Sequence, residues 1–208
     1  MSGSQRTVGG LALSAAALLA AALLLAAALL LRRPLEASMA LHMVVQLPMI
    51  AVGGALAGIA VARNAPKVAG AMARWDAHGM TGLVWLLLAS AYWMVPRALE
   101  QSLTMPLAEA GKFASLFLLG FLLPGALSRA ASVIQLFFLG NFCAMMAIAG
   151  MLYQDMPQRL CNAYSLDDQV VTGVGLVVAS IGVAAAWCVW QLPALAGYAA
   201  APDGDSTR

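Results

Sequence analysis

Six apolar stretches, separated by short charged breaks, constrain this chain more than anything else in it: 11–31, 39–62, 80–95, 113–128, 130–153 and 170–192. A membrane-spanning helix needs ~20 mostly apolar residues, fewer where helices kink or the bilayer thins. The spacing therefore predicts an all-α fold, a polytopic transmembrane helical bundle of about six membrane-spanning helices. A single domain covers residues 1–198, and a polar tail at 199–208 is expected to be disordered. Composition agrees: 62% of the 208 residues are hydrophobic and only 10% are charged, which is not a soluble globular balance. The net charge of +2 is scattered, so no nucleic-acid patch is expected.

The first run is nearly pure Ala and Leu and is followed by Arg32-Arg33 with no small-x-small cleavage site before them. It reads as a retained, lipid-facing helix without chemistry of its own. The second run is richer. Met39, His42, Met43, Gln46 and Met49 fall, at ~100° per residue, on one stripe of a helix. Thioethers and an imidazole are soft ligands that suit Cu(I), whereas the plain alternative is methionine filling gaps between packed helices. Pro48 predicts a kink, and Gly53, Gly54 and Gly58 predict close helix approach.

Residues 63–79 and 96–112 read as loops, and the Tyr92-Trp93-Met94 end of the third run as an interfacial belt. Glu109 and Lys112 are three apart and read as a boundary ion pair. Gln135 and Asn141 read as interhelical glue, with Asn141 facing protein. Met145-Met146 read as core filler. Ser165 reads as an N-cap, with Asp167 and Asp168 as first-turn acids. Cys143, Cys161 and Cys188 form no CxxC pair. A thiol ligand at Cys161 is open, an inert loop thiol being the simpler reading.

Three blocks resemble a known family. His42-Met-Val-Val-Gln-Leu-Pro-Met is similar to the HMxxH-type helix start of CtaG-type cytochrome c oxidase assembly factors. Trp93-Met-Val-Pro, Ala98-Leu-Glu, Pro106-Leu-Ala-Glu and the run from Phe113 to Leu127 resemble their WHxP segment and following helix. Ser165-Leu-Asp-Asp-Gln resembles their SPLEDQ-like helix start. The blocks keep the family's order and cover 39–178. The departures are equally specific. Gln46 stands where the second histidine would, Met94 replaces the histidine of WHxP, and Glu109 and Phe113 stand where a histidine pair is expected.

The resemblance implies a membrane factor that aids assembly of a haem-copper oxidase, near the step that delivers copper. The metal ligands it implies here are His42, Met43 and Met94 with Met39 nearby, holding Cu(I), and Gln46 orienting the imidazole through its other nitrogen. The partners implied are the lipid bilayer and an oxidase subunit or periplasmic copper carrier, with a homo-oligomer left open. The lost histidines motivate the alternative of a non-metal-binding scaffold or accessory subunit of a respiratory complex. A transporter would need polar residues along a path through the bilayer, and only Gln135 and Asn141 lie deep in a span. An enzyme would need a nucleophile–base or phosphate-loop motif, and none is legible. Six spans put both termini on one side. Counting Lys and Arg gives six on that side against five on the other. The 63–79 loop tips the expectation towards cytoplasmic termini in a bacterial inner membrane.

Overall fold

A computed structural model describes the backbone of residues 3–199 and the side chains of residues 10–192. The tail expected to be disordered lies outside the described residues, save for its first residue. Among the described residues every regular element is helical. Among these residues five helices are long and apolar enough to cross a membrane, or six if the bent pair Met80–Trp93 and Pro96–Thr104 counts as one span.

The first long helix, α1 (Gly3–Leu30), is followed by the short α2 (Arg32–Glu36). The second crossing begins as a π-helix, Leu41–Gln46, and continues as α3 (Leu47–Asn64). The Leu47 N–H bonds the His42 carbonyl, five residues back. Pro48 has no N–H to give the ladder, and the wider turn lies directly before it. The kink expected at Pro48 is therefore a π segment.

The two stretches read as loops are largely helical. Residues 63–79 contain α4 (Pro66–Trp75), and residues 96–112 contain α6 (Pro96–Thr104) and the first turns of α7 (Pro106–Arg129). In all three helices proline takes the first position, where its missing N–H costs nothing. Residues 113–128 thus form only the latter part of a longer helix. The third crossing is α5 (Met80–Trp93), joined to α6 at an angle of 76°. The extended Val95 before Pro96 makes the bend. The last two crossings are α8 (Ser132–Asp155) and α9 (Leu166–Ala199).

The helices pack in a ring. α3 lies against α7, α7 against α5, α5 against α8, α8 against α9, and α9 returns to the π segment that begins the α3 crossing. The first helix sits outside the ring on α3 and leaves Leu11, Leu19, Leu23 and Leu30 exposed, as a lipid-facing helix should. Small residues set the approach distances. A Cβ on Gly120 would lie 1.7 Å from the Ala51 carbonyl oxygen, and one on Gly54 2.2 Å from that of Phe117. The α8–α9 contact repeats the device, with Gly150 and Gly173 each against the other's carbonyl.

The end of the bundle that holds α4 is pinned by a small polar knot. The Arg129 guanidinium bonds the Asp76 carbonyl and carboxylate, and the Thr81 N–H donates to the same carboxylate. Burial opposes ionisation of Asp76, but the Thr81 N–H and the Arg129 cation outweigh it and hold its carboxyl below the usual range. Gln135 ties the same end together. Its amide nitrogen donates to the Leu127 and Ala130 carbonyls, and its oxygen accepts from Trp187 and Gln191. The glue role expected of Gln135 is thus observed. Asn141 differs: its side chain is exposed and bonds back to the Phe137 carbonyl of its own helix. That local bond satisfies an amide donor without a neighbouring helix.

Candidate functional site: a buried lysine at the mouth of the bundle

The opposite end gathers α2, the start of the second crossing, the start of α7 and the loop before α9. The stripe Met39, His42, Met43 and Gln46 faces inward there and is buried, with His42 and Gln46 wholly so. Its inward pole is met by Lys112, whose side chain is also fully buried. An ammonium has three N–H donors and no acceptor. Here each finds one partner: Glu36 Oε1 at 2.6 Å, Gln46 Oε1 at 3.1 Å and His42 Nε2 at 3.1 Å. The nitrogen that accepts from a cation must be unprotonated, which leaves the proton on Nδ1. That N–H points to the Tyr164 hydroxyl at 2.9 Å, and the hydroxyl donates to the Glu36 carbonyl at 3.1 Å. The chain of bonds thus closes on the residue whose carboxylate holds the lysine. Gln46 completes it by donating to Glu36 Oε1 and to the Ala28 carbonyl of α1. Among the described residues no buried side-chain polar atom lacks a partner.

This circuit fastens five separate pieces of chain. Such a network is stabilising only when every member is satisfied, because an unpaired charge in a low-dielectric interior is costly. Around it, Asp168 works across elements. Its carboxylate accepts from Ser38 Oγ and from the Met39 and Ala40 N–H groups, capping the start of the second crossing. The N-cap expected at Ser165 is present, its hydroxyl accepting the Asp168 N–H at 3.2 Å. Gln169 holds the preceding loop by donating to the Tyr153 carbonyl and accepting the Leu160 N–H. Burial raises the Tyr164 phenol and the Cys161 thiol above their ordinary ranges. Burial thus favours the protonated form of both.

The residues singled out from sequence fall as follows. Met39, Met43 and Met94 join one apolar cluster with Ile50, Trp93 and Leu99. Met94 also lends its carbonyl to the Tyr153 hydroxyl. Gln46 does not orient His42; Tyr164 does, and Gln46 instead bridges α1, α2 and α7. The expected Glu109–Lys112 pair is exchanged for two longer-range pairs: Glu109 binds Arg32 at 2.6 Å, and Lys112 binds Glu36. The reason is direction. Lys112 points into the bundle and Glu109, one turn earlier, points outward to Arg32. Tyr92 is half-exposed, as a belt residue would be, but Trp93 is buried and donates to Ser115 Oγ.

A Cu(I) ion at His42 would have to displace Lys112 or Tyr164 from the imidazole. His42 has no free ring nitrogen, and the Nε2 lone pair already faces a cation. Glu36 and Tyr164 had no assigned role in the sequence reading, and Lys112 only that of an ion-pair partner for Glu109. Their signal was weak but present: one lysine just inside an apolar helix and one glutamate between two spans, each needing a counter-charge if buried.

No protein-family model, no curated protein and no solved structure matches the chain.

Proposed function

We propose that the protein is an integral membrane factor in the assembly of a haem-copper oxidase, working as a helical scaffold with a lysine where a metal-binding member would keep its ion. The membrane is the inner membrane of a bacterium, with the α4 end towards the cytoplasm. The observation that carries this reading is the convergence of the three resembling blocks on one mouth. His42 and Gln46 of the first bond Lys112, which lies between two quoted stretches of the second, and Asp168 of the third caps the start of the helix that carries them. Distant blocks that resemble a family by sequence and meet in space are better support than any block alone. The satisfied ammonium favours the scaffold form over copper carriage, because it consumes the only imidazole of the stripe.

A copper-carrying form is the second reading. It is favoured by Met39, Met43 and Met94, which offer thioethers in one cluster beside His42. It requires Lys112 to swing away from Nε2 before any metal arrives.

One experiment separates the two. The gene is deleted, oxidase activity and oxidase copper are measured under copper limitation, and the strain is complemented with wild type or with His42→Ala/Met94→Ala. A scaffold predicts loss on deletion and rescue by both forms. Rescue by wild type alone, at equal protein level, favours copper carriage. Full activity and full copper in the deletion strain refute both.

A further inference from the structure

The α4 helix presents two exposed stripes side by side, and among the described residues nothing covers either. Lys67 and Arg74 are seven residues apart, hence two turns apart on nearly the same line, and Arg63 precedes them at the end of α3. Val68 and Trp75 form a second line about 100° further round. Trp75 is 91% exposed and Val68 49%. The opposite side of the helix, with Ala69 and Met72, turns towards the bundle. The three ion pairs among the described residues involve none of Arg63, Lys67 and Arg74. The one nearby carboxylate, Asp76, is taken by Arg129.

Beneath α4 is a cavity of about 250 Å³ between the ends of α3 and α7. Its walls are mostly apolar, with Val61, Met72, Phe121 and Leu122 among them, and Arg63 and Arg129 also line it.

We infer that α4 is a docking surface for anionic phospholipid, with the phosphate held by Arg63, Lys67 and Arg74 and acyl chain taken up along Trp75 and in the cavity below. The charge distribution argues for this occupant. Among the residues whose side chains are described, four cations and one carboxylate lie at this end of the bundle, against five cations and six carboxylates at the other. A tryptophan and a basic stripe on adjacent faces of a short helix match the two layers of a bilayer interface, apolar below and phosphate above. Anionic lipid attracts juxtamembrane cations. A soluble protein partner would have to bury Trp75 while lying at the level of the headgroups.

The test uses the full-length protein in phosphatidylcholine vesicles doped with a fixed minor fraction of dibrominated phosphatidylglycerol or, in parallel, dibrominated phosphatidylcholine. Bromine quenches tryptophan on contact, and the difference between wild type and Trp75→Phe isolates the signal of Trp75. The expected result is severalfold stronger quenching of Trp75 by the anionic lipid, shrinking as salt is raised. The excess should vanish in Arg63→Gln/Lys67→Gln/Arg74→Gln, whose changes are all at exposed positions. An unchanged thermal midpoint shows that this variant is folded. Equal quenching by the two lipids overturns the proposal, as does an excess that survives the triple substitution. Absence of quenching by either lipid places α4 away from the bilayer and overturns it as well.

Discussion

Lys112 makes the mouth of this bundle a closed polar circuit rather than an open ligand site. Its three hydrogen bonds satisfy three acceptors from two other segments, so removing it strands all three. Lys112→Met is expected to lower stability by ~3 kcal/mol, the usual cost of leaving one partner of a buried ion pair uncompensated. Lys112→Met combined with Glu36→Gln should recover a large part of that loss, since a neutral mouth no longer holds an orphan charge. Thermal unfolding midpoints of the three proteins in one detergent check this. A double variant as unstable as the single one would mean that Glu36 is not the counter-charge that matters. The stripe of the second crossing was legible in the sequence because its period matches a buried helical face. Its partners were not, because a lysine and a glutamate at span boundaries look alike whether they point into water or into protein. Only the direction of α7 distinguishes Lys112 from Glu109 one turn away.

Among the elements, the long spans were legible from apolar length alone and the short helices were not. α4 and α6 are ten and nine residues long, begin with proline and carry charge. Those features mark turns as readily as they mark helices lying at an interface. The glycines of α3 were legible as small-residue contacts, but Gly120 of α7 was not, and which glycine meets which carbonyl depends on the crossing point. At that point Gly120 leaves no room for a side chain. Gly120→Ala is expected to push α3 and α7 apart and to cost about 1–3 kcal/mol, the range for overpacking a tight interior. Gly140→Ala, where a Cβ would meet nothing within 4 Å, serves as the control and should be neutral or slightly stabilising. Unfolding of the two variants side by side measures the difference. A Gly120 variant as stable as the control would mean that the helices cross with more slack than their geometry shows.

For the whole molecule, the prediction is an orientation. The α4 end, where Arg63, Lys67 and Arg74 crowd one short segment between crossings, is expected to face the cytoplasm, and the lysine mouth the opposite side. Impermeant maleimide labelling of single-cysteine reporters checks this in a background lacking Cys143, Cys161 and Cys188. His78→Cys, beside α4, should react only after the cells are opened, and Arg159→Cys, in the loop before α9, should react in intact cells. The reverse pattern would invert the molecule and set the basic face of α4 against the outer leaflet.

The shortness of α5 reaches beyond the protein itself. Its fourteen residues rise about 21 Å, whereas the hydrocarbon layer of a bilayer is ~30 Å thick. The sharp turn into α6 prevents the helix from making up the difference by extension. Acyl chains beside that flank must splay or tilt to match it, so the protein carries a local dimple in the membrane on one side only. Elastic energy stored in such a dimple is relieved when another thin-waisted protein moves alongside. A neighbour with a similarly short span is then expected to find this flank favourable.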